Sequence, residues 1–345
     1  MRRLPYLFLM VWLGCGESDD PPSRDVAFDV NIDETGLSEE RSFRIPEGTR
    51  SISVIVEGAP DALYALGVFG MGDGADLVQL PSGAPGPAMQ MTYEQEQIGQ
   101  MPGALFQSIR LGTYTHVYPY RPDQVVLAGT GRLRVASDKP GAATVRIAMP
   151  EDAPASVLPL NFYVISDTLA EPTAPAFTAE LDRLFAQAGI TLRLNGIERL
   201  TGTAYERISD FNEPQESPTS QSAMVPSLVA DRTTDGLDVF FVEGLPTGVA
   251  GLSLGTPGPP SRGSYYFGVL IRGDFPAIEL ARVTAHEIAH FLALQHVQNR
   301  GISGQAYPDP LDDTTPGADN LMEDGTILTP GQAFALTRSA LLREL

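Results

Sequence analysis

The rhythm of hydrophobic and polar positions changes once along this chain. From Val26 to Pro154 the apolar residues fall in short, alternating runs: Phe43-Arg44-Ile45, Ser51–Val56, Tyr114–Tyr118, Gln124–Leu127, Arg132–Val135 and Ala143–Ile147. Gly, Pro and Asp separate these runs, and helical periodicity is almost missing. Such a pattern predicts an all-β sandwich built from short strands. The Pro/Gly-rich stretch Pro81–Pro87 reads as a surface loop. After Pro154 strands and helices alternate. Leu160–Ile165, Ile190–Leu194 and Asp238–Val242 read as strands, and Ser264–Ile271 as a strand alternating through Tyr265, Phe267, Val269 and Ile271. Phe177, Leu181, Leu184 and Phe185 recur at helical spacing within Pro175–Ala188, and Gly189 stops that helix. Asn212–Ser222 is polar and Pro-containing, an exposed loop. Alternating strands and helices predict an α/β second half.

Length and charge narrow the picture. A chain of 345 residues favours two domains over one. Its 43 acidic and 23 basic residues leave a net charge of -20, which repels phosphate backbones and argues against nucleic acid as a partner. Cys15 is the single cysteine, so neither an intrachain disulfide nor a cysteine metal cluster can form.

The position of Cys15 suggests its use. Arg2 and Arg3 precede a short apolar run, Leu4–Gly14, that ends at Cys15. The run is about half the ~20 residues that span a bilayer, and so reads as an export signal and not as a permanent span. Leu13-Gly14-Cys15 resembles the lipobox of bacterial lipoproteins, with Trp12 where that box usually has Leu. The resemblance implies lipid attachment at Cys15 and a location in the cell envelope, with the membrane engaged through the anchor alone. Ordinary cleavage near Gly16 would instead yield a secreted protein. The expected organisation is a signal segment over 1–15, a flexible tether over 16–25, a β-sandwich domain over 26–154 and an α/β domain over 155–345.

Candidate chemistry concentrates in His286-Glu287-Ile288-Ala289-His290 and in His296 beyond it. Pro276 suits the first turn of a helix carrying this segment. Leu280, Thr284, Ile288, Phe291 and Leu292 would form its broad buried face. His286 and His290, four residues apart, lie one turn from each other and can reach one ion. Glu287 is placed to take a proton from water beside that ion. On a continuous helix His296 would point away, so the helix must break before it. Three His ligands leave a fourth position of Zn2+ open, as a catalytic site requires. Only four His occur in the chain. The fourth, His116, sits in a strand-like run and reads as structural.

These residues resemble the metzincin zinc peptidases, whose pattern is His-Glu-x-x-His-x-x-Gly-x-x-His followed by a Met-turn. The likeness covers about Leu158–Leu345 and looks closest to the pappalysin-like branch, to which Gly248–Gly251 and Pro257–Pro260 are also similar. It implies zinc ligands at His286, His290 and His296, a general base at Glu287 and a Met-turn at Met322 within Gly317–Met322. Ala293 stands at the family glycine, where a left-handed turn would cost Ala about 1 kcal/mol relative to Gly. Asp324 stands where some metzincins have a Tyr ligand. Similar strands to Ser264–Ile271 in that family form the sheet edge along the cleft, to which an extended peptide can add, beside the plainer reading of an ordinary strand. Asp309, Asp312, Asp313 and Asp319 offer a candidate Ca2+ loop beside the plainer reading of a solvated acidic loop. Thr329-Pro330-Gly331-Gln332 is a capping box that opens a last helix bearing Phe334, Leu341 and Leu342.

The expectation is therefore a multi-domain protein, an N-terminal all-β sandwich followed by a metzincin-like α/β domain. It would cleave protein or peptide substrates outside the cytoplasm. The rival is a non-catalytic zinc-containing surface lipoprotein that binds peptides or other ligands. The anchor has its own test. Cys15→Ser should move the protein out of the membrane fraction or block its maturation, and mass spectrometry of the mature N-terminus should lose its acyl groups. Unchanged fractionation with no acyl mass in the parent protein contradicts the lipobox.

Overall fold

The computed structural model describes residues 24–72, 76–79, 109–152, 157–209, 220–260, 262, 264, 266–300 and 306–344. The signal segment with Cys15, most of the tether, the Pro81–Pro87 stretch and residues 212–219 of the expected polar loop lie outside the described residues. The last residues of that loop, Gln221 and Ser222, instead begin a short helix over Gln221–Met224, capped by Ser220.

The first half contains nine strands: β1 (Asp25–Ile32), β2 (Arg41–Ile45), β3 (Ile52–Glu57), β4 (Tyr64–Met71), β5 (Val78–Gln79), β6 (Ile109–Arg110), β7 (Thr113–Tyr118), β8 (Gly129–Ser137) and β9 (Gly141–Ala148). They form two antiparallel sheets, ordered β1-β9-β3-β7-β6 and β2-β8-β4-β5. Val30, Val54 and Val145 from the first sheet share one hydrophobic cluster with Phe43, Phe69 and Leu133 from the second. Period-two alternation puts these side chains on one face of each strand. Four strands in this half, β1, β4 and the two-residue β5 and β6, do not stand out in the sequence. Gln124–Leu127, expected as a strand, is irregular. The Gln124 side chain accepts hydrogen bonds from the Tyr120 and Arg121 amides and closes a turn, and Val125 and Leu127 are left exposed.

The second half is built on a five-stranded sheet ordered β11-β10-β12-β14-β13. Its members are β10 (Val157–Ile165), β11 (Thr191–Arg199), β12 (Leu237–Val242), β13 (Gly251–Ser253) and β14 (Val269–Arg272). Four strands run parallel, and β13 pairs antiparallel with β14 at one edge. The central strands are apolar on both faces because both faces are covered. Phe162, Val164, Val239, Phe241, Val269 and Ile271 pack toward α1 (Pro175–Ala186) and α2 (Ala277–Phe291). The alternating partners Tyr163, Phe240, Val242 and Leu270 pack with Val225 and Val229 on the other side. An α/β arrangement in this half is thus observed directly. A small hairpin, β15 (Gln298–Arg300) with β16 (Ala306–Pro308), and a last helix, α3 (Pro330–Leu336), follow. No helix among the described residues is long and apolar enough to cross a membrane.

Three expectations are corrected here. The strand foreseen over Ser264–Ile271 is confined to Val269–Arg272 and is not an edge, since β12 and β13 flank it. A turn closed by the Phe267 amide on the Ser264 carbonyl occupies the start of that run, and Gly268, at φ 125°, separates it from the strand. The edge is β13, drawn from the Gly248–Gly251 neighbourhood. Pro276 precedes α2 as its N-cap and is not in its first turn. The last helix stops at Leu336, where the Arg338 and Ser339 amides turn back onto the Ala335 and Leu336 carbonyls, so Leu341 and Leu342 are buried beyond it. The Thr329–Gln332 capping box that opens α3 is formed in both directions.

Arg50 donates to the Ser339 carbonyl, the Ser51 hydroxyl to the Arg338 carbonyl and the Tyr266 hydroxyl to the Leu111 carbonyl, joining the two halves. Tyr120 alone among the first-half residues belongs to the hydrophobic cluster of α1 and α2.

Candidate metal centre

Helix α2 sets the geometry of the site. Leu280, Ala281, Ala285, Ile288 and Ala289 bury one face against the sheet and α1. The other face opens onto a cleft of about 900 Å³ between β13 and the loop after α2. His286 and His290 project into it from successive turns, with their ring centroids 4.7 Å apart. His286 is half-buried, His290 is buried and His296 is exposed at the mouth.

Two main-chain carbonyls fix the imidazoles. His286 Nδ1 donates to the Leu321 carbonyl at 2.7 Å, and His290 Nδ1 to the Leu294 carbonyl at 2.7 Å. A carbonyl can only accept, so the proton of each neutral ring sits on Nδ1 and the lone pair on Nε2. Both Nε2 atoms approach His296 Nε2 at 3.2 Å. Metal–nitrogen bonds of about 2.0–2.1 Å at a near-tetrahedral angle separate two donors by about 3.3 Å, so this spacing fits one small cation. Among the described residues these three histidines form the one group able to hold a metal ion. Burial is the main cause that drives the His286 pKa down to about 4 and the His290 pKa well below its usual value. Both rings are therefore neutral at physiological pH, the form that ligates.

His296 reaches the group because α2 ends sharply. The Ala293 amide bonds the His290 carbonyl at 3.0 Å and the Leu294 amide bonds the Ala289 carbonyl at 2.9 Å. This is a Schellman termination, whose turning residue ordinarily is Gly. Ala293 performs it at φ 110°, the one non-Gly residue at positive φ among the described residues. The Gly258 amide reaches the Phe291 carbonyl at 2.9 Å and satisfies another open carbonyl of the same helix end.

Glu287 lies between the first two histidines in sequence and is buried in the cleft wall. It packs against β13 so closely that a Cβ on Gly251 would come 2.5 Å from its Cγ and 2.8 Å from its Oε1. A side chain at Gly251 would therefore force this carboxylate side chain to shift, a relation not visible in the sequence.

Met322 is fully buried in the turn after Asn320. The Asn320 carboxamide accepts from the Met322 amide at 2.9 Å and exchanges two hydrogen bonds, at 2.9 and 3.0 Å, with the Gln332 side chain of α3. That pair locks the turn, and with it the Leu321 carbonyl that orients His286.

The four aspartates Asp309, Asp312, Asp313 and Asp319 do not form a metal-holding group among the described residues, and three of them are engaged elsewhere. Asp309 accepts from Thr314 and the Leu311 amide, Asp313 from Thr329 and the Gly331 amide, and Asp319 from the Thr326 amide. His116 is also apart from the metal group. It is buried in β7 beside Tyr114 and Phe69, and burial lowers its pKa to about 4.

No family profile matches this sequence, and no curated protein does. Among solved structures, metalloproteinase-II from Bacteroides fragilis aligns over 58% of this chain with 13% identity and a TM-score of 0.31. A Bacillus subtilis protein aligns over 63% with 11% identity and a TM-score of 0.17. The chain covers 63% and 52% of those two proteins, under two thirds of either. Likeness at this level assigns neither fold family nor activity, and the chemistry rests on the geometry above.

Ala293 yields a test of the turn. Ala293→Gly relieves about 1–2 kcal/mol of backbone strain and gives up about 0.8 kcal/mol of methyl burial, so stability should hold or rise by up to about 1 kcal/mol. Ala293→Val, with a branched Cβ at the same φ, should lose more than about 2 kcal/mol and weaken metal binding. Thermal unfolding of the metal-free protein and chelator competition measure both. A clear loss of stability in Ala293→Gly contradicts the strained turn.

Proposed function

We propose that this protein is a zinc-dependent endopeptidase of the metzincin type, allied to the pappalysin-like branch. The observation that carries the reading is the convergence of three imidazole Nε2 atoms at metal-ligand spacing beside Glu287 in an open cleft. An all-imidazole donor set of three suits zinc with a position left for water or substrate. When bound, the ion would polarise the scissile carbonyl and make water acidic enough to attack at neutral pH.

The remaining steps belong to the chain. Glu287 accepts a proton from the attacking water and returns it to the amine nitrogen that leaves. The carbonyls of Leu321 and Leu294 hold the His286 and His290 tautomers through the cycle. β13 presents the outer edge of the sheet to the cleft, where an extended peptide can pair with its backbone. In this reading the two N-terminal sheets form a β-sandwich domain over 26–154 and the peptidase domain spans 155–345. The Cys15 lipid anchor places both at the cell envelope, facing extracellular or envelope proteins as substrates.

Glu287→Gln separates the enzyme from the non-catalytic binder. It should keep zinc stoichiometry near wild type and slow hydrolysis of a peptide library by roughly 10²–10⁴-fold or more. His290→Ala should lose metal and hydrolysis together. A folded, zinc-loaded wild-type protein that cleaves nothing, or a Glu287→Gln variant that cleaves equally well, overturns the peptidase reading and leaves the binding lipoprotein.

A further inference from the structure

The third donor, His296, sits on no regular element. It follows the break at Ala293 and precedes β15, so the stretch Gln295–Val297 must be held by its neighbours. One of those neighbours comes from the other half of the molecule. Tyr120, in the segment between β7 and β8, is 1% exposed and packs in the cluster that contains Leu292, Ala293, Leu294 and Val297. Its backbone is fixed locally by the Gln124 side chain.

The polar atoms around this contact are unusual. Tyr120 Oη, Gln295 Nε2 and Asp309 Oδ2 are all buried with no hydrogen-bond partner among the described residues. Burial raises the Tyr120 hydroxyl pKa, the Asp309 charge raises it further, and the Gln295 main chain, which the hydroxyl faces, opposes the shift. Burial also lifts the Asp309 carboxyl to about 6. Asp309 is itself tied to the stretch, since its amide bonds the Val297 carbonyl at 3.1 Å. A buried hydroxyl without a hydrogen-bond partner costs stability, so the packing around the Tyr120 ring must offset that cost.

We propose that Tyr120 is a positioning residue for the metal centre: inserted from the N-terminal half, its ring and hydroxyl wedge the Gln295–Val297 stretch into the place that aims His296 at His286 and His290. The inference rests on His296 being a metal ligand. It makes the β-rich half part of the site's scaffold, although every proposed ligand lies beyond it in sequence. The metal affinity of the whole chain then depends on a residue that touches neither metal nor substrate.

The test uses the full chain, with Zn2+ affinity read by chelator competition and ligand geometry by the visible absorption of the Co2+-substituted protein. Tyr120→Leu should weaken Zn2+ binding by about tenfold or more, as loss of groups that orient ligands does, and should change the Co2+ spectrum. Tyr120→Phe, which keeps the ring, should recover most of the affinity. Phe69→Leu is the control, because it loosens the other core without touching the stretch; it should lower the melting temperature and leave the Co2+ spectrum alone. If Tyr120→Leu does not fold, Tyr120→Met carries the same expectation. Wild-type affinity and spectrum in the folded Leu or Met variant overturn the proposal, and so does an equal loss in Phe69→Leu. If the wild-type protein binds no metal at all, the metal reading itself fails, which is a different result from a positioning residue that does not matter.

Discussion

Two histidines one turn apart on a helix can face a common point, but a third six residues further on cannot unless the helix ends between them. That constraint governs this molecule's site. The chain meets it with a Schellman turn at Ala293, where a Cβ sits on a backbone conformation that favours Gly. The strain is held by what surrounds it. Ala293 is buried in the main cluster, the Gly258 amide holds the Phe291 carbonyl, and the Leu294 amide returns to Ala289. The same turn that aims His296 also brings the Leu294 carbonyl under His290 Nδ1. Breaking the helix and fixing the His290 ring are thus one structural event.

The rest of the fold keeps the opposite side of the site in step. The parallel sheet, apolar on both faces, backs α2 and leaves β13 as an antiparallel edge across the cleft. Gly251 on that edge lets the Glu287 side chain lie flat against it. The Asn320–Gln332 pair clamps the Met322 turn to α3, and its Leu321 carbonyl orients His286. Side-chain chemistry at the centre is set in large part by carbonyls and amides of loops that no ligand motif includes.

This explains what the sequence revealed and what it hid. Helix α2 was legible because its buried face and its polar face follow a helical period, and the His spacing stands out among only four His. The spacing required a helix break between His290 and His296, and the resemblance to the metzincin pattern, with Ala293 at its glycine, marked the position that carries the strain. The central strands β10 and β12 were legible as apolar runs, whereas β4, interrupted by Gly67 and Gly70, was not. The edge strand was misplaced to Ser264–Ile271 because that placement was carried over from the family resemblance, and strand order in a sheet is not written in a local run. Val125 and Leu127 alternate like a strand yet pair with no strand among the described residues, and pairing is a long-range property. Gly251, the Leu321 and Leu294 carbonyls and Tyr120 carry no local signal, since each matters only through a neighbour distant in the chain.

The central claim is that three imidazoles share one zinc ion with a position to spare. X-ray absorption at the zinc edge of the metal-loaded full chain addresses it directly. The account predicts a four-coordinate shell of about three imidazole nitrogens and one oxygen at about 2.0–2.1 Å, with the outer-shell scattering of imidazole rings, and a loss of one ring's contribution in His296→Ala. A six-coordinate oxygen shell, or an unchanged imidazole count in His296→Ala, would contradict it.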